Sequence, residues 1–273
     1  MKIMTLLQKR KYRGAVALLL TIACVLCGSV SALSDREACG WYVCRNAQHK
    51  QPTLDAAQAA AEKHHAHYVD RAHGDTCEEK VLYLTFDAGY ENGNVAKILD
   101  VLKEEQVPGA FFILKNLLTR ERALVERMIA EGHTVGNHTL HHKDMTRLSD
   151  DEVRAELEGL ATLYRETTGK EMKKYYRPPE GKYTLHHLDT VANLGYETIF
   201  WSFAYADWDN DKQPNLESAK KKVLDNTHNG AVILLHPTSA TNAAILSDLI
   251  HEWRKMGYHF GTLDSLCQKG SAE

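Results

Sequence analysis

From Val81 onward the chain alternates between short, β-rich apolar runs and segments whose apolar residues recur at helical spacing. That alternation is its strongest constraint, because strands separated by helices imply a mainly parallel sheet. The runs fall at 81–86, 109–114, 134–136, 174–177, 197–202, 231–235 and 258–260. Between them Val95, Ile98, Leu99 and Leu102 share one helical face, as do Leu124, Val125, Met128 and Ile129. Ser149-Asp150-Asp151-Glu152 is a capping-box sequence opening a helix with Val153, Leu157, Leu160 and Tyr164 on one side, and Gly169 stops it. Helices are also expected around Leu185, Leu188 and Val191, over 216–224, and around Ile245, Leu249 and Trp253. The fold class is α/β with about seven β-α units, and 273 residues suffice for one sizeable core with additions.

Chemically active residues stand where these runs end. Asp87 follows the first, His138 the third, Arg177 ends the fourth, Asp207 lies after the fifth and His236 follows the sixth. In a parallel barrel all such positions lie on the C-terminal face, where active sites are built. His138 and His142 are four residues apart, so on a helical turn both imidazoles would reach one metal, with His141 pointing elsewhere. A metal with open coordination positions beside a carboxylate can activate water for hydrolysis.

With these residues the chain resembles the polysaccharide deacetylases with a NodB-homology domain, family 4 of the carbohydrate esterases, over about residues 80–265. Thr85-Phe86-Asp87-Ala88-Gly89 resembles the family's first motif, and His138-Thr139-Leu140-His141-His142 its metal-binding motif. Arg177-Pro178-Pro179-Glu180-Gly181 resembles the third, Asp207-Trp208 the end of the fourth and Leu234-Leu235-His236 the fifth. The resemblance implies a distorted (β/α) barrel with fewer strands than an eightfold one, and metal-dependent removal of N-acetyl groups from a glycan. It implies Asp87 as general base toward the attacking water and His236 as general acid toward the departing amine. Arg177 would hold Asp87, and Asp207 would orient His236. The usual second Asp of the first motif is Ala88 here, which has no donor atom. The implied divalent metal, taken as zinc, is then left with His138 and His142 and is held weakly. The variant Phe86-Asp87-Ala88-Gly89-Tyr90-Glu91-Asn92 is similar to the peptidoglycan deacetylases that act on N-acetylmuramic acid and lead to muramic δ-lactam in spore cortex. A cation reading the lactyl carboxylate of that sugar is expected at Lys182, in the loop beyond the fourth strand, with Tyr90 and Trp208 as further substrate contacts. Deacetylation of chitin-like or xylan chains, and a glycan-binding protein that has lost catalysis, stay open beside this reading.

The N-terminus carries its own message. Residues 1–32 hold five basic residues and no acid, then an apolar run from Ala15 to Cys27 and the small residues Ser29-Val30-Ser31-Ala32. This is the pattern of an export signal cleaved after Ala32, with an uncleaved anchor, and hence membrane association, as the alternative. The net charge of −3 becomes −8 over the rest of the chain, which argues against nucleic acid as a partner. Residues 33–78 are expected as an N-terminal arm and 79–268 as the deacetylase domain, working as a monomer on glycan strands. In the arm, 54–67 is alanine-rich and expected to be helical; its His64, His65 and His67, with His73 beyond, suit a solvated bias better than a metal tract. Cys39, Cys44, Cys77 and Cys267 permit disulfides outside the cytosol, a Cys77–Cys267 tie among them.

Overall fold

The computed structural model describes residues 34–268. The expected export signal over 1–32 lies outside the described residues. The described residues begin with β1 (Cys39–Gly40), α1 (Ala56–Ala61), β2 (Ala66–His67) and β3 (Lys80–Ala88). Then come α2 (Val95–Glu104), β4 (Ala110–Ile113), α3 (Lys115–Arg120), α4 (Arg122–Ala130), β5 (Thr134–Asn137) and α5 (Asp150–Thr168). β6 (Tyr175–Tyr176), β7 (Lys182–Tyr183), α6 (Leu185–Asn193), β8 (Glu197–Ile199) and α7 (Leu216–Asp225) follow. The chain closes with β9 (Ala231–Leu235), α8 (Ala240–Lys255), β10 (Tyr258–Phe260) and α9 (Leu263–Gln268).

The seven expected strands are β3, β4, β5, β6, β8, β9 and β10, and every pairing among them is parallel. β3 is the axis of the sheet. β9 runs along one edge over Leu82–Phe86, while β4 takes Thr85–Ala88 and β10 takes Lys80–Leu82 on the other. From β4 the sheet curls through β5, β6 and β8. Past β8 the chain returns to β9, where Phe203 bridges Ile233, Ser202 N donates to Val232 O at 2.9 Å and Leu234 N donates to Phe203 O at 2.9 Å. Strand alternation divides β3 between two cores. Leu82, Leu84 and Phe86 pack outward with α2 and α8 residues such as Leu99, Leu249 and Trp253, whereas Val81 and Tyr83 turn inward with Phe112 and Ile199.

In the N-terminal region the helix expected over 54–67 forms, but is shorter. α1, capped by Asp55, stops at Ala61, and His65 takes a left-handed φ of 55°. The chain thereby reverses, and Ala66–His67 joins the sheet as an eighth parallel strand beside β8, with Thr198 N donating to His65 O and Phe200 N to His67 O. An open sheet edge outcompetes continuation of a short alanine helix, which is marginal by itself. β1 pairs antiparallel with β7, and Trp41 stacks on Phe200 with ring centroids 4.1 Å apart while its Nε1 donates to Trp201 O at 2.8 Å. Residues 35 onward form one compact unit, so the arm is part of the barrel wall.

The histidines of this region are engaged with carboxylates: His64 with Asp189, His67 with Glu197 and His73 with Asp70. The four cysteines are free thiols, so the Cys77–Cys267 tie is not made. Among the described residues no helix is long and apolar enough to cross a membrane.

Candidate active site

The site forms where β3, β5, β6 and β9 end, around a cavity of about 690 Å³. Its anchor is Arg177, the first residue past β6 and fully buried. The Nη1 donates to Asp87 Oδ1 at 2.9 Å, Nη2 to Thr85 Oγ1 at 2.9 Å, and Nε to Ile199 O at 2.8 Å. The guanidinium lies 4.3 Å from the Phe112 ring centroid. Thr85 in turn donates to Ile233 O at 2.7 Å, which ties β3 and β9 together beneath the cavity. A buried cation held this way gives Asp87 a fixed partner. Burial alone pushes the Asp87 carboxyl up, but the charge of Arg177, with smaller contributions from the His138 and His236 imidazoles, outweighs it and holds Asp87 below the ordinary carboxylate range.

β5 delivers His138, one residue past its end. The Nδ1 lies 2.8 Å from Arg177 O, an atom that can only accept, so Nδ1 carries the hydrogen and Nε2 keeps its lone pair. That Nε2 lies 3.7 Å from Asp87 Oδ2. Burial brings the His138 pKa down to about 4, so the ring is neutral at pH 7. His142 is brought near by a loop, not by the helical turn that its spacing suggested. Thr139 and His142 have φ of 74° and 56°, His142 N donates to Thr139 Oγ1, and the His138 and His142 rings stand 5.0 Å apart. His141 turns away to Glu156.

Two imidazoles, one with its lone pair already aimed by a backbone carbonyl, fit a divalent cation of the zinc type. Among the described residues no group of three or more His, Cys, Asp or Glu side chains is arranged to hold one, so solvent would complete the coordination. Ala88 is fully buried within the outer apolar cluster and offers no donor.

The opposite wall comes from β9 and the segment after β8. His236 follows Leu235, with a quarter of its side chain exposed. Its Nδ1 meets Asp207 Oδ1 at 2.7 Å, and its backbone N donates to Asp207 Oδ2 at 2.9 Å. Nδ1–H is thus taken up, and Nε2 is the atom left for the cavity. Burial pushes the His236 pKa down, but the bond and charge of Asp207, helped by Asp87, overcome it and leave it raised.

Tyr90 and Trp208 line the same cavity and are about half exposed, at 48% and 60%; Trp208 lies edge-on to His236 at 6.1 Å. Asn210 donates to the Tyr90 hydroxyl across the rim. Lys182 opens β7, just past the cavity-lining Glu180 and Gly181. It is not among the residues lining the cavity, and its Nζ is neutralised by Glu180 Oε2 at 2.7 Å and Asp144 Oδ2 at 3.6 Å. Glu180 lines the cavity instead, held at φ 57° before Gly181, whose φ of 66° and contact with Trp201 leave no room for a Cβ. Trp201 and Asn242 belong to the site from outside the motifs read in the sequence, and Thr85 and Glu180 stand within those motifs without having been singled out.

This barrel and site define a polysaccharide deacetylase. The family model "Polysaccharide deacetylase" matches residues 74–199, and the chain belongs to that family, hydrolases that act on carbon–nitrogen bonds outside peptides. It is 39% identical over 233 residues to the peptidoglycan-N-acetylmuramic acid deacetylase PdaA of Bacillus subtilis (strain 168), covering 84% of this chain and 86% of that one. It is 33% identical over 168 residues to a chitooligosaccharide deacetylase of a Bradyrhizobium species, covering 62% and 75%. The solved structure of Bacillus subtilis PdaA, a family 4 carbohydrate esterase, superposes with a TM-score of 0.80 at 36% identity, covering 86% of this chain and 99% of that one.

Proposed function

We propose that this protein is an exported, monomeric peptidoglycan N-deacetylase acting on N-acetylmuramic acid residues. The observation that carries the hydrolytic part is the placing, in one cavity, of a carboxylate bound by a buried arginine and an imidazole whose Nδ1 is bound by a second carboxylate. Asp87 is kept below the ordinary range and His236 above it, each by a dedicated partner. Two titratable groups driven apart in this way are suited to base and acid roles at one pH.

Amide hydrolysis needs exactly these services in sequence. Water must lose a proton as it attacks the acetyl carbon, and Asp87 Oδ2 is the free oxygen that takes it, since Oδ1 is bound by Arg177. The C–N bond breaks only if the nitrogen gains a proton, because an amide anion is too basic to leave. His236 Nε2 supplies that proton, and Asp207 stabilises the imidazolium beforehand. A divalent cation held by His138 and His142 supplies Lewis-acid polarisation of the acetyl oxygen when bound. Leu114 and Leu234 give the cavity apolar wall, and the exposed rings of Tyr90 and Trp208 add aromatic surface on which a sugar can rest.

The muramyl preference is supported by the 39% identity to the PdaA deacetylase, not by Lys182. In that sugar the freed amine stands beside a lactyl carboxyl, the two groups from which a muramic δ-lactam forms. Export is supported by the basic, then apolar, then small-residue order of residues 1–32. Acetate release from purified peptidoglycan, with a chitin oligomer alongside, tests the reading. Release from the chitin oligomer alone would replace it with the chitin-like alternative, and none from either would leave a glycan-binding protein.

A further inference from the structure

Asn242 occupies the third position of α8, and its backbone N–H is capped by Ser239 Oγ at 3.1 Å. A polar residue in an exposed first turn ordinarily meets water. This one is only 1% exposed, and its side chain points back to the end of β9. The Nδ2 donates to Asp207 Oδ2 at 2.6 Å and to His236 O at 3.0 Å, while Oδ1 accepts from the Tyr205 hydroxyl. The amide cannot be turned over, because a carboxylate and a carbonyl both require the NH₂ group opposite them.

A carboxylate that orients a histidine is useful only if it cannot rotate about its own Cβ–Cγ bond. Oδ1 of Asp207 faces His236 Nδ1, and that contact alone would allow rotation. Oδ2 is held by two donors, the His236 backbone N–H and Asn242. The charged groups around His236 are Asp207 from the segment after β8, Asp87 from β3 and Arg177 from the end of β6. Asn242 adds a neutral donor from α8, so it fixes Asp207 without cancelling its charge.

We propose that Asn242 is a positioning residue for the acid step: by clamping Asp207 Oδ2 against the backbone of His236, it keeps Oδ1 on Nδ1 and the Nε2 proton aimed into the cavity. This rests on His236 being the acid of the deacetylation proposed above.

The test uses the full chain with Asn242→Ala and the near-isosteric Asn242→Asp, each alone and combined with Asp207→Asn. In Asn242→Ala, kcat should fall about 10- to 100-fold, the size of effect seen when a partner behind a functional histidine is removed, with KM nearly unchanged. Little further loss should follow in the Asp207→Asn background, since both substitutions break one linkage. Asn242→Asp should lose as much near neutral pH, where two carboxylates oppose each other, and regain activity on acidification as the introduced carboxyl takes up a proton and can donate. In proton NMR the low-field Nδ1–H resonance of His236 should be present in the parent and lost in Asn242→Ala. Unchanged kcat in both variants, an undiminished loss in the Asp207→Asn background, or a persistent resonance would overturn the proposal. If Asn242→Ala does not fold, Asn242→Asp decides it by the same kcat and resonance criteria. The resonance needs no substrate, so an inactive parent would sink the deacetylase reading and still leave the clamp decided.

Discussion

Arg177 and Asp87 form an ion pair with the guanidinium wholly out of water, Nη1 lying 2.9 Å from Oδ1, and the rest of the site is arranged around it. The same arginine offers its backbone oxygen to His138 Nδ1. One residue therefore fixes both the partner of the Asp87 carboxylate and the tautomer of His138.

Breaking that pair should be costly on both counts. Arg177→Ala leaves a buried carboxylate unpaired, a change on the order of 3–5 kcal/mol. Urea denaturation should show a lower midpoint with an unchanged slope. The depressed carboxyl of Asp87 stabilises the fold above its unfolded pKa, and that contribution disappears as pH falls through the folded pKa. The variant should therefore lose more stability at pH 7 than at pH 3.

The pH profile of kcat/KM should have an acid limb from Asp87, below the ordinary carboxylate range, and an alkaline limb from His236, above the ordinary imidazole range. Asp207→Asn removes the charge that raises His236, so the alkaline limb should move to lower pH while the acid limb stays. For stability the sign is opposite to that of Asp87. The raised pKa of His236 stabilises the fold below its unfolded pKa, and this is lost as pH rises through the folded pKa. An alkaline limb that does not move in Asp207→Asn would remove His236 as the acid.

Trp41 should contribute to the stability of the barrel itself. It is 7% exposed and stacked on Phe200, so Trp41→Ala should cost about 3–5 kcal/mol in thermal or chemical unfolding. A loss below about 1 kcal/mol would mean that residues 35–78 are an appendage after all.

Lys182 sits at the rim between two acids. Lys182→Ala should change kcat/KM on muramyl strands and on a glucosamine oligomer by less than about threefold each, as exposed pairs contribute little. A selective loss on muramyl strands would restore it as the group that reads the lactyl carboxylate.

What was legible from sequence divides along physical lines. Strands buried on both faces are continuous apolar runs, so 231–235 and 81–86 stand out, and residues just past them inherit one face by topology alone. That placed Asp87, His138, Arg177, Asp207 and His236 together. Local spacing was a poorer guide. His138 and His142 meet through two left-handed residues of a loop, a conformation that no periodicity encodes. β2 was hidden because two residues gain strand character only from a neighbouring edge. Lys182 looked available because its partners Glu180 and Asp144 converge only in the fold, and Asn242 looked like any residue of a helical first turn.

In the proposed reaction Asp87 is the base of an amide hydrolysis on peptidoglycan. Acetate released from purified glycan strands should be measured for the parent and for Asp87→Asn, with zinc supplied to both. The parent should release acetate, and release should fall about 10²- to 10⁴-fold in Asp87→Asn, with folding intact. Equal acetate release by the two proteins would contradict it.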